Sequence, residues 1–301
     1  ESLNSPSCDI SEKICCPDKY ILKTKLSLLD YIKMSSKYSE DSLDQALNNE
    51  RCGELNENKI AYSKETKLGD FPFLALLGYR ISDNKVEIKC GGTLITSRFV
   101  LTSAHCLDKE LEFARFGEHF LDTDEDCESS RNVTNHDNLF DIGLIKLKES
   151  VPLNNREHIN TICLPIAEES KLKKSQKPSR FMIAGWGQTN SSFNSNKLQK
   201  SIVTQKSIRA CKNSKNHLDI IPNKHNICVA NDGLGYCKGD FGGPLFRVAK
   251  VHIWGRYVQY GVSSSHLMNC QENGGTSNSS LAAYVNVQHF VEWIQGIILE
   301  S

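Results

Sequence analysis

Hydrophobic residues occur along most of the chain in short runs that polar turn residues separate. From about residue 68 onward, seven such runs are rich in β-branched and aromatic side chains, and Gly and Asn lie between them. The runs begin at Phe73, Gly92, Phe99, Ile142, Phe181, Val258 and Leu281. Short strands of this kind predict an all-β barrel or sandwich.

The two ends of the chain follow other patterns. Phe290, Val291, Ile294 and Ile298 are spaced as on one helical face, which predicts a C-terminal helix within 287–299. Residues 17–51 contain no Gly and no Cys, and one weakly amphipathic run at 20–34 precedes a polar stretch. This composition predicts a linker with marginal helix.

Charge and hydropathy give no reason to expect nucleic acid or a membrane as a partner. Lys plus Arg equals Asp plus Glu at 36 each, so the net charge gives no reason to expect nucleic acid or an anionic membrane as the main partner. No run approaches the roughly 20 apolar residues that span a bilayer. The polar start at Glu1 resembles no signal peptide, and we expect a mature form or a fragment.

Twelve cysteines are spread over the 301 residues. So many cysteines favour disulfide bonds and an oxidising, extracellular compartment. No C-x-x-C pair occurs, which argues against a zinc site. We expect no metal and no cofactor. Three glycosylation sequons, at Asn132, Asn190 and Asn278, agree with secretion.

Four motifs carry a resemblance to a known family. They are Leu101-Thr-Ser-Ala-His105-Cys106, Asp141-Ile-Gly-Leu-Ile-Lys-Leu147, Ala184-Gly-Trp-Gly187 and Gly239-Asp-Phe-Gly-Gly-Pro-Leu245. In this order they are similar to the motifs of the chymotrypsin-like serine proteases. The resemblance implies that residues 52–301 form a double β-barrel that ends in a C-terminal helix. In this domain His105 matches the catalytic base, and Asp141 matches the carboxylate that orients it.

The fourth motif departs from the family at the nucleophile. Phe241 stands where the family has its catalytic serine. A phenyl ring has no lone pair and no acidic proton, so it forms no acyl-enzyme. The resemblance therefore implies a protein that is not an enzyme, in which His105, Asp141 and Phe241 are relics of a triad and the backbone of Gly239 and Phe241 matches the oxyanion hole.

The substrate pocket departs as well. Gly235 lies where trypsins carry the aspartate that selects Lys and Arg. The wall of the pocket is normally lined by a glycine, and the matching stretch here reads Ser264-Ser265-His266. We expect the His266 imidazole to fill the entrance. Nucleophile, floor and wall have all changed, which is typical of relaxed selection for catalysis.

The activation junction is partly kept. Lys59-Ile60 matches the bond that is cleaved in relatives, and Asp240 matches the carboxylate that accepts the new N-terminus. Tyr62 and Ser63 replace the glycines that usually follow. Whether the bond between residues 59 and 60 is cleaved therefore stays an open question.

The family pattern implies four disulfide bonds and an appendage. The implied pairs are Cys52–Cys163, Cys90–Cys106, Cys211–Cys228 and Cys237–Cys270. The stretch from Cys8 to Pro17, which includes Cys15 and Cys16, resembles the end of an arthropod clip domain, so residues 1–17 are expected to be its remnant and 18–51 a linker. Three cysteines with unrelated partners are the alternative. Cys127 is expected to be unpaired or bonded to this segment, and the short stretch from it to Asp141 leaves open whether the first barrel is complete.

These observations predict a secreted serine protease homologue without activity. The resemblance implies a cofactor or adaptor in an extracellular proteolytic cascade of innate immunity, of the prophenoloxidase type or a related one, with cascade proteases or their substrates as partners. One alternative is a decoy that binds protease inhibitors or substrates. The other is a residual hydrolase, which would need Ser264 or Ser265 as its nucleophile.

Overall fold

A computed structural model describes residues 51–55, 66–82, 85–121, 140–153, 158–166, 179–187, 196–213, 223–231, 241–251, 253–265 and 280–299, together with strand backbone at 14–15 and 22–24. The described chain is dominated by antiparallel strands. The all-β prediction and the C-terminal helix are both confirmed.

The first sheet contains seven strands, all paired antiparallel. They are β1 (Ile14–Cys15), β2 (Leu22–Thr24), β3 (Leu74–Ser82), β4 (Lys85–Thr96), β5 (Phe99–Thr102), β6 (Leu111–Phe116) and β7 (Gly143–Lys146). Their order is β1-β6-β3-β4-β5-β7-β2. The backbone at Leu22–Thr24 is therefore extended, where the weak periodicity of 20–34 predicted helix, because tertiary pairing with β7 overrides a marginal local preference.

Six strands form the second sheet, which is a closed barrel. They are β8 (Arg180–Gly185), β9 (Gln199–Lys206), β10 (Asn226–Asn231), β11 (Pro244–Val251), β12 (Trp254–Ser265) and β13 (Ser280–Asn286). The order around the barrel is β10-β13-β12-β11-β8-β9. Each of the seven predicted runs lies in or overlaps one observed strand.

Two short α-helices lie in the part of the chain that the structure describes. The helix α1 (Ile208–Lys212) begins after Ser207, whose side chain accepts a hydrogen bond from the backbone N–H of Ala210. The helix α2 (Val291–Leu299) follows a 3-10 turn and buries Trp293 and Ile294 against the core. No helix in the described part of the chain is long and apolar enough to cross a membrane.

An aromatic cluster joins the first sheet to the second barrel. Phe73 immediately precedes β3, whereas Phe246 lies on β11 and Tyr257 on β12. Their rings meet edge to face, with centroids 5.2 Å apart for Phe73 and Phe246 and 5.5 Å for Phe246 and Tyr257. Such pairs add stabilisation beyond the area that they bury. The cluster therefore holds the two sheets in one relative position, and the candidate site lies where they meet.

Three disulfide bonds connect described residues, namely Cys52–Cys163, Cys90–Cys106 and Cys211–Cys228. They are three of the four pairs expected from the resemblance, and the fourth lies outside the described residues. The first bond ties residues 51–55 to Cys163, which forms an isolated bridge with Val258 of β12. Nearby, Gly53 has φ +59° and lies against the backbone of Tyr257. A Cβ at Gly53 would collide with the carbonyl oxygen of Tyr257, so this close approach requires glycine.

Candidate active site

His105 lies on a short, firmly anchored 3-10 turn. The turn, Ala104–Cys106, directly follows β5. Its last residue forms the Cys90–Cys106 disulfide with β4, and the Tyr79 hydroxyl donates to the Cys106 carbonyl oxygen at 2.8 Å. Burial raises the pKa of Tyr79 well above its usual value, so the hydroxyl stays protonated as this hydrogen bond requires. These contacts fix the backbone from which the imidazole projects.

Asp141 accepts three hydrogen bonds just before β7. The backbone N–H of His105 donates to Oδ1 at 2.9 Å, and Nδ1 of the same histidine lies 2.8 Å from Oδ2. The Ser264 hydroxyl on β12 donates to Oδ2 at 2.7 Å. Because an ionised carboxylate only accepts, Nδ1 carries the proton and Nε2 of the neutral ring is left as the basic nitrogen. The pair has the geometry of a general base and its orienting carboxylate.

Phe241 lies directly against this histidine. The two rings meet edge to face at 88°, with centroids 4.7 Å apart. The imidazole keeps 34% of its side-chain surface exposed, yet Nε2 is buried and no described residue hydrogen-bonds to it. Among the described residues, the ring against this histidine is therefore a phenyl group, which has no acidic proton for the basic nitrogen to remove.

The backbone around Phe241 is tightly held. The N–H of Gly91 donates to the Phe241 carbonyl oxygen at 2.7 Å, and the N–H of Gly242 donates to the Ser263 carbonyl oxygen at 2.9 Å. Gly242 has φ +74°, and a Cβ there would collide with Thr102 and with the Gly91 carbonyl oxygen. The turn that presents residue 241 is thus specified by its glycine, independently of the side chain at 241.

Ser264 has a role that sequence reasoning missed. We expected it in the pocket wall, or as a substitute nucleophile. Its hydroxyl donates to Asp141, and the residue is only 3% exposed. Its place in the pocket wall stays a prediction. The motif around residue 264 gave no signal for this contact, because the partner lies 123 positions away in the chain.

Several predicted site residues lie outside the described residues. They are the pocket positions Gly235 and His266, the oxyanion-hole Gly239, the activation residues Lys59, Ile60 and Asp240, the pair Cys237–Cys270, Cys127, and the sequons at Asn132, Asn190 and Asn278. The clip-like segment 1–17 and the linker 18–51 are described only at the backbone of β1 and β2 and at residue 51. All of these assignments remain predictions.

Cys90, His105 and Cys106 place a ligand-type atom each within 4.8 Å of one another. Such a cluster has the residue types of a metal site. The two sulfur atoms are joined in a disulfide bond, however, and supply no thiolate. This cluster therefore offers a metal ion at most one imidazole nitrogen.

Comparison with known proteins assigns the family. The trypsin family model matches residues 60–294. The chain is 31% identical to the serine protease Grass of Drosophila melanogaster over 93% of this chain and 74% of that protein. It is 30% identical to phenoloxidase-activating factor 3 of Holotrichia diomphalia, which covers 81% of this chain and 74% of the relative.

Further similarity extends over nearly the whole chain and to a solved structure. The CLIP domain-containing serine protease HP8 of Bombyx mori is 28% identical, over 98% of this chain and 81% of its own length. The crystal structure of the Drosophila Grass clip serine protease of the Toll pathway superposes with a TM-score of 0.66 at 28% identity, covering 90% of this chain and 78% of that one. The chymotrypsin-like fold that the motifs implied is thereby confirmed, and the chain belongs to the trypsin family, with clip-domain serine proteases of arthropods among its relatives.

Proposed function

We propose that this protein is a serine protease homologue without peptidase activity and that it acts by binding other proteins. The observation that carries the proposal is the contact between Phe241 and His105, whose rings meet edge to face while the basic nitrogen of the imidazole is buried. The family mechanism needs a hydroxyl at this place, since the histidine must take a proton from the nucleophile.

The remaining triad geometry does not compensate for the missing hydroxyl. Loss of the nucleophile from a triad typically lowers turnover by about a million-fold, even where the base and its carboxylate persist. Ser264 offers no substitute, because its hydroxyl donates to Asp141 and is buried. Both features support an inactive centre.

The proposed binding role is that of a cofactor or adaptor in an extracellular cascade of innate immunity. Relatives are named for such cascades, among them phenoloxidase-activating factor 3 and melanization protease 1. The disulfide bonds suit an oxidising compartment, which supports secretion. Partners would be cascade proteases or their protein substrates.

The absence of catalysis is tested with an active-site probe. The secreted protein, cleaved after Lys59, is incubated with a fluorophosphonate and with a panel of peptide esters. We expect no covalent labelling and no turnover above the heat-denatured control, either for the wild type or for Phe241→Ala, which removes the ring without supplying a hydroxyl. Labelling of the native wild type at a single site would contradict the proposal.

Phe241→Ser extends this test to the pocket. The variant restores a hydroxyl beside His105, but Gly235 supplies no charge for a basic substrate side chain. We therefore expect no cleavage after Arg or Lys in esters or peptides. Efficient cleavage after Arg by this single variant would show that Gly235 is not the floor of the pocket.

The cofactor role requires a separate assay. A purified CLIP-domain protease is mixed with its downstream zymogen, and the rate of product formation is followed with and without this protein. We expect acceleration by the wild type and equal acceleration by Phe241→Ala, because the effect depends on binding. No change in rate would reject the adaptor role and leave the result of the probe experiment unaffected.

A further inference from the structure

Among the described residues from 66 onward, the strands of the first sheet leave two edges without a neighbouring strand. Strands β3 to β7 alone give the order β6-β3-β4-β5-β7, whereas the six strands of the second sheet close into a barrel. An open edge exposes a row of backbone N–H and C=O groups that pair readily with other extended chains. The first sheet therefore needs a cover for β6 and another for β7.

Two strands from the N-terminal segment occupy these edges. In β1, Ile14 pairs with Phe116 and Cys15 with Arg115 on β6. In β2, Leu22 pairs with Lys146, Lys23 with Ile145 and Thr24 with Leu144 on β7. Both pairings are antiparallel, and only residues 16–21 separate the two strands in the sequence.

We propose that the strands β1 and β2 are an integral part of the first sheet and that β2 is a positioning element for Asp141. Strand β7 begins two residues after Asp141, at Gly143, and its last three residues pair with β2. The hydrogen bonds of Asp141 to His105 and Ser264 depend on where β7 places its backbone. The segment that resembles a clip remnant and linker thus supports the site from the outer edge of the sheet.

The direction of the hydrogen bonds follows from the ladder between β5 and β7. The N–H of Leu147 donates to the Arg98 carbonyl oxygen at 2.8 Å, so residue 147 faces β5. In an antiparallel ladder the facing side alternates from residue to residue. The backbone N–H and C=O groups of Ile145 therefore face β5 as well, whereas those of Leu144 and Lys146 face β2.

The same alternation defines matched variants within β2. Leu22 and Thr24 are the partners of Lys146 and Leu144, so their N–H groups donate to β7. The backbone N–H and C=O groups of Lys23 point away from β7. Proline removes a backbone donor and is tolerated in an edge strand only where no ladder bond is lost. Leu22→Pro and Thr24→Pro are thus disruptive, and Lys23→Pro is the control in the same strand.

Hydrogen exchange resolved to single amides, on the full-length disulfide-bonded protein, tests the proposal. In the wild type we expect the amides of Leu144 and Lys146 to be protected. Thr24→Pro and Leu22→Pro should accelerate their exchange on the order of tenfold, as expected for the loss of about one backbone hydrogen bond, while Lys23→Pro leaves it near the wild-type rate. Val229 in the second barrel reports on global opening and should not change.

Two results would overturn the proposal. The first is exchange of Leu144 and Lys146 in the wild type at the rate of unprotected amides, which would mean that β2 does not cover β7. The second is equal exchange in all three proline variants and the wild type. The wild-type measurement is decisive even if a proline variant fails to fold.

Discussion

Replacement of Asp141 by Ala tests whether the remnant of the triad holds the two sheets together. The carboxylate accepts from two donors of His105 next to the first sheet and from Ser264 on β12, at 2.7 to 2.9 Å. Asp141→Ala removes all three hydrogen bonds at once. Ser264 is 3% exposed, so its hydroxyl would lose its partner in a place that water reaches poorly.

The expected loss of stability follows from these contacts. A hydrogen bond to a charged group contributes about 1.5–3 kcal/mol, and a buried donor left without a partner costs about 1–3 kcal/mol. The Asp141 side chain is 17% exposed and the His105 side chain 34%, so water replaces part of what is lost on the histidine side. We therefore expect a destabilisation of about 3 kcal/mol, which corresponds to a fall in Tm of about 6–12 °C for a domain of the size of the trypsin-family region 60–294.

The assay is thermal unfolding by calorimetry with the disulfide bonds intact. Asp108→Ala is the matched control. This carboxylate accepts a hydrogen bond from the nearby Glu110 N–H at 3.0 Å, and burial raises its pKa, which means that the fold disfavours its charged form. We expect the control to lower the Tm by no more than about 3 °C. If Asp141→Ala unfolds at the same temperature as this control, the triad remnant does not stabilise the contact between the sheets.

Two further substitutions probe the turn after Phe241 and the acid sensitivity of the fold. Gly242→Ala should lower the free energy of unfolding by about 3 kcal/mol or more in calorimetry, because a left-handed φ and a backbone collision both oppose the methyl group. The control is Gly91→Ala, whose Cβ would meet its nearest atom at 3.5 Å and which should be close to neutral. Equal costs for the two variants would contradict this explanation. Burial, with a smaller contribution from the charge of Lys197, lowers the pKa of His119. The neutral ring therefore stabilises the fold above the unfolded-state pKa of about 6.5, and this contribution is lost as the pH falls toward the folded-state pKa. His119→Gln should therefore lose less Tm than the wild type between pH 7.5 and 5, and an equal loss in both proteins would show that His119 does not titrate in this way.

Local pattern predicted the strands whose side chains are apolar on both faces. The runs at Phe73 and Phe99 are almost wholly buried in the structure, so hydrophobicity alone marked them. Strand β9, Gln199–Lys206, was missed because its residues are mostly polar and Val203 alone among them is buried. Strand β6 was missed for another reason. Glu112, its second residue, is buried and forms an ion pair with Arg80 of β3, and only the fold shows that partner.

The candidate site divides in the same way. The motifs around His105 and Asp141 predicted the base and its carboxylate, because each side chain lies in a block of characteristic neighbours. The tertiary structure decided that the ring of Phe241 lies against the histidine, that Ser264 donates to the aspartate, and that β2 covers the edge of β7. These contacts join residues that are more than a hundred positions apart in the chain, and local periodicity carries no information about such pairings.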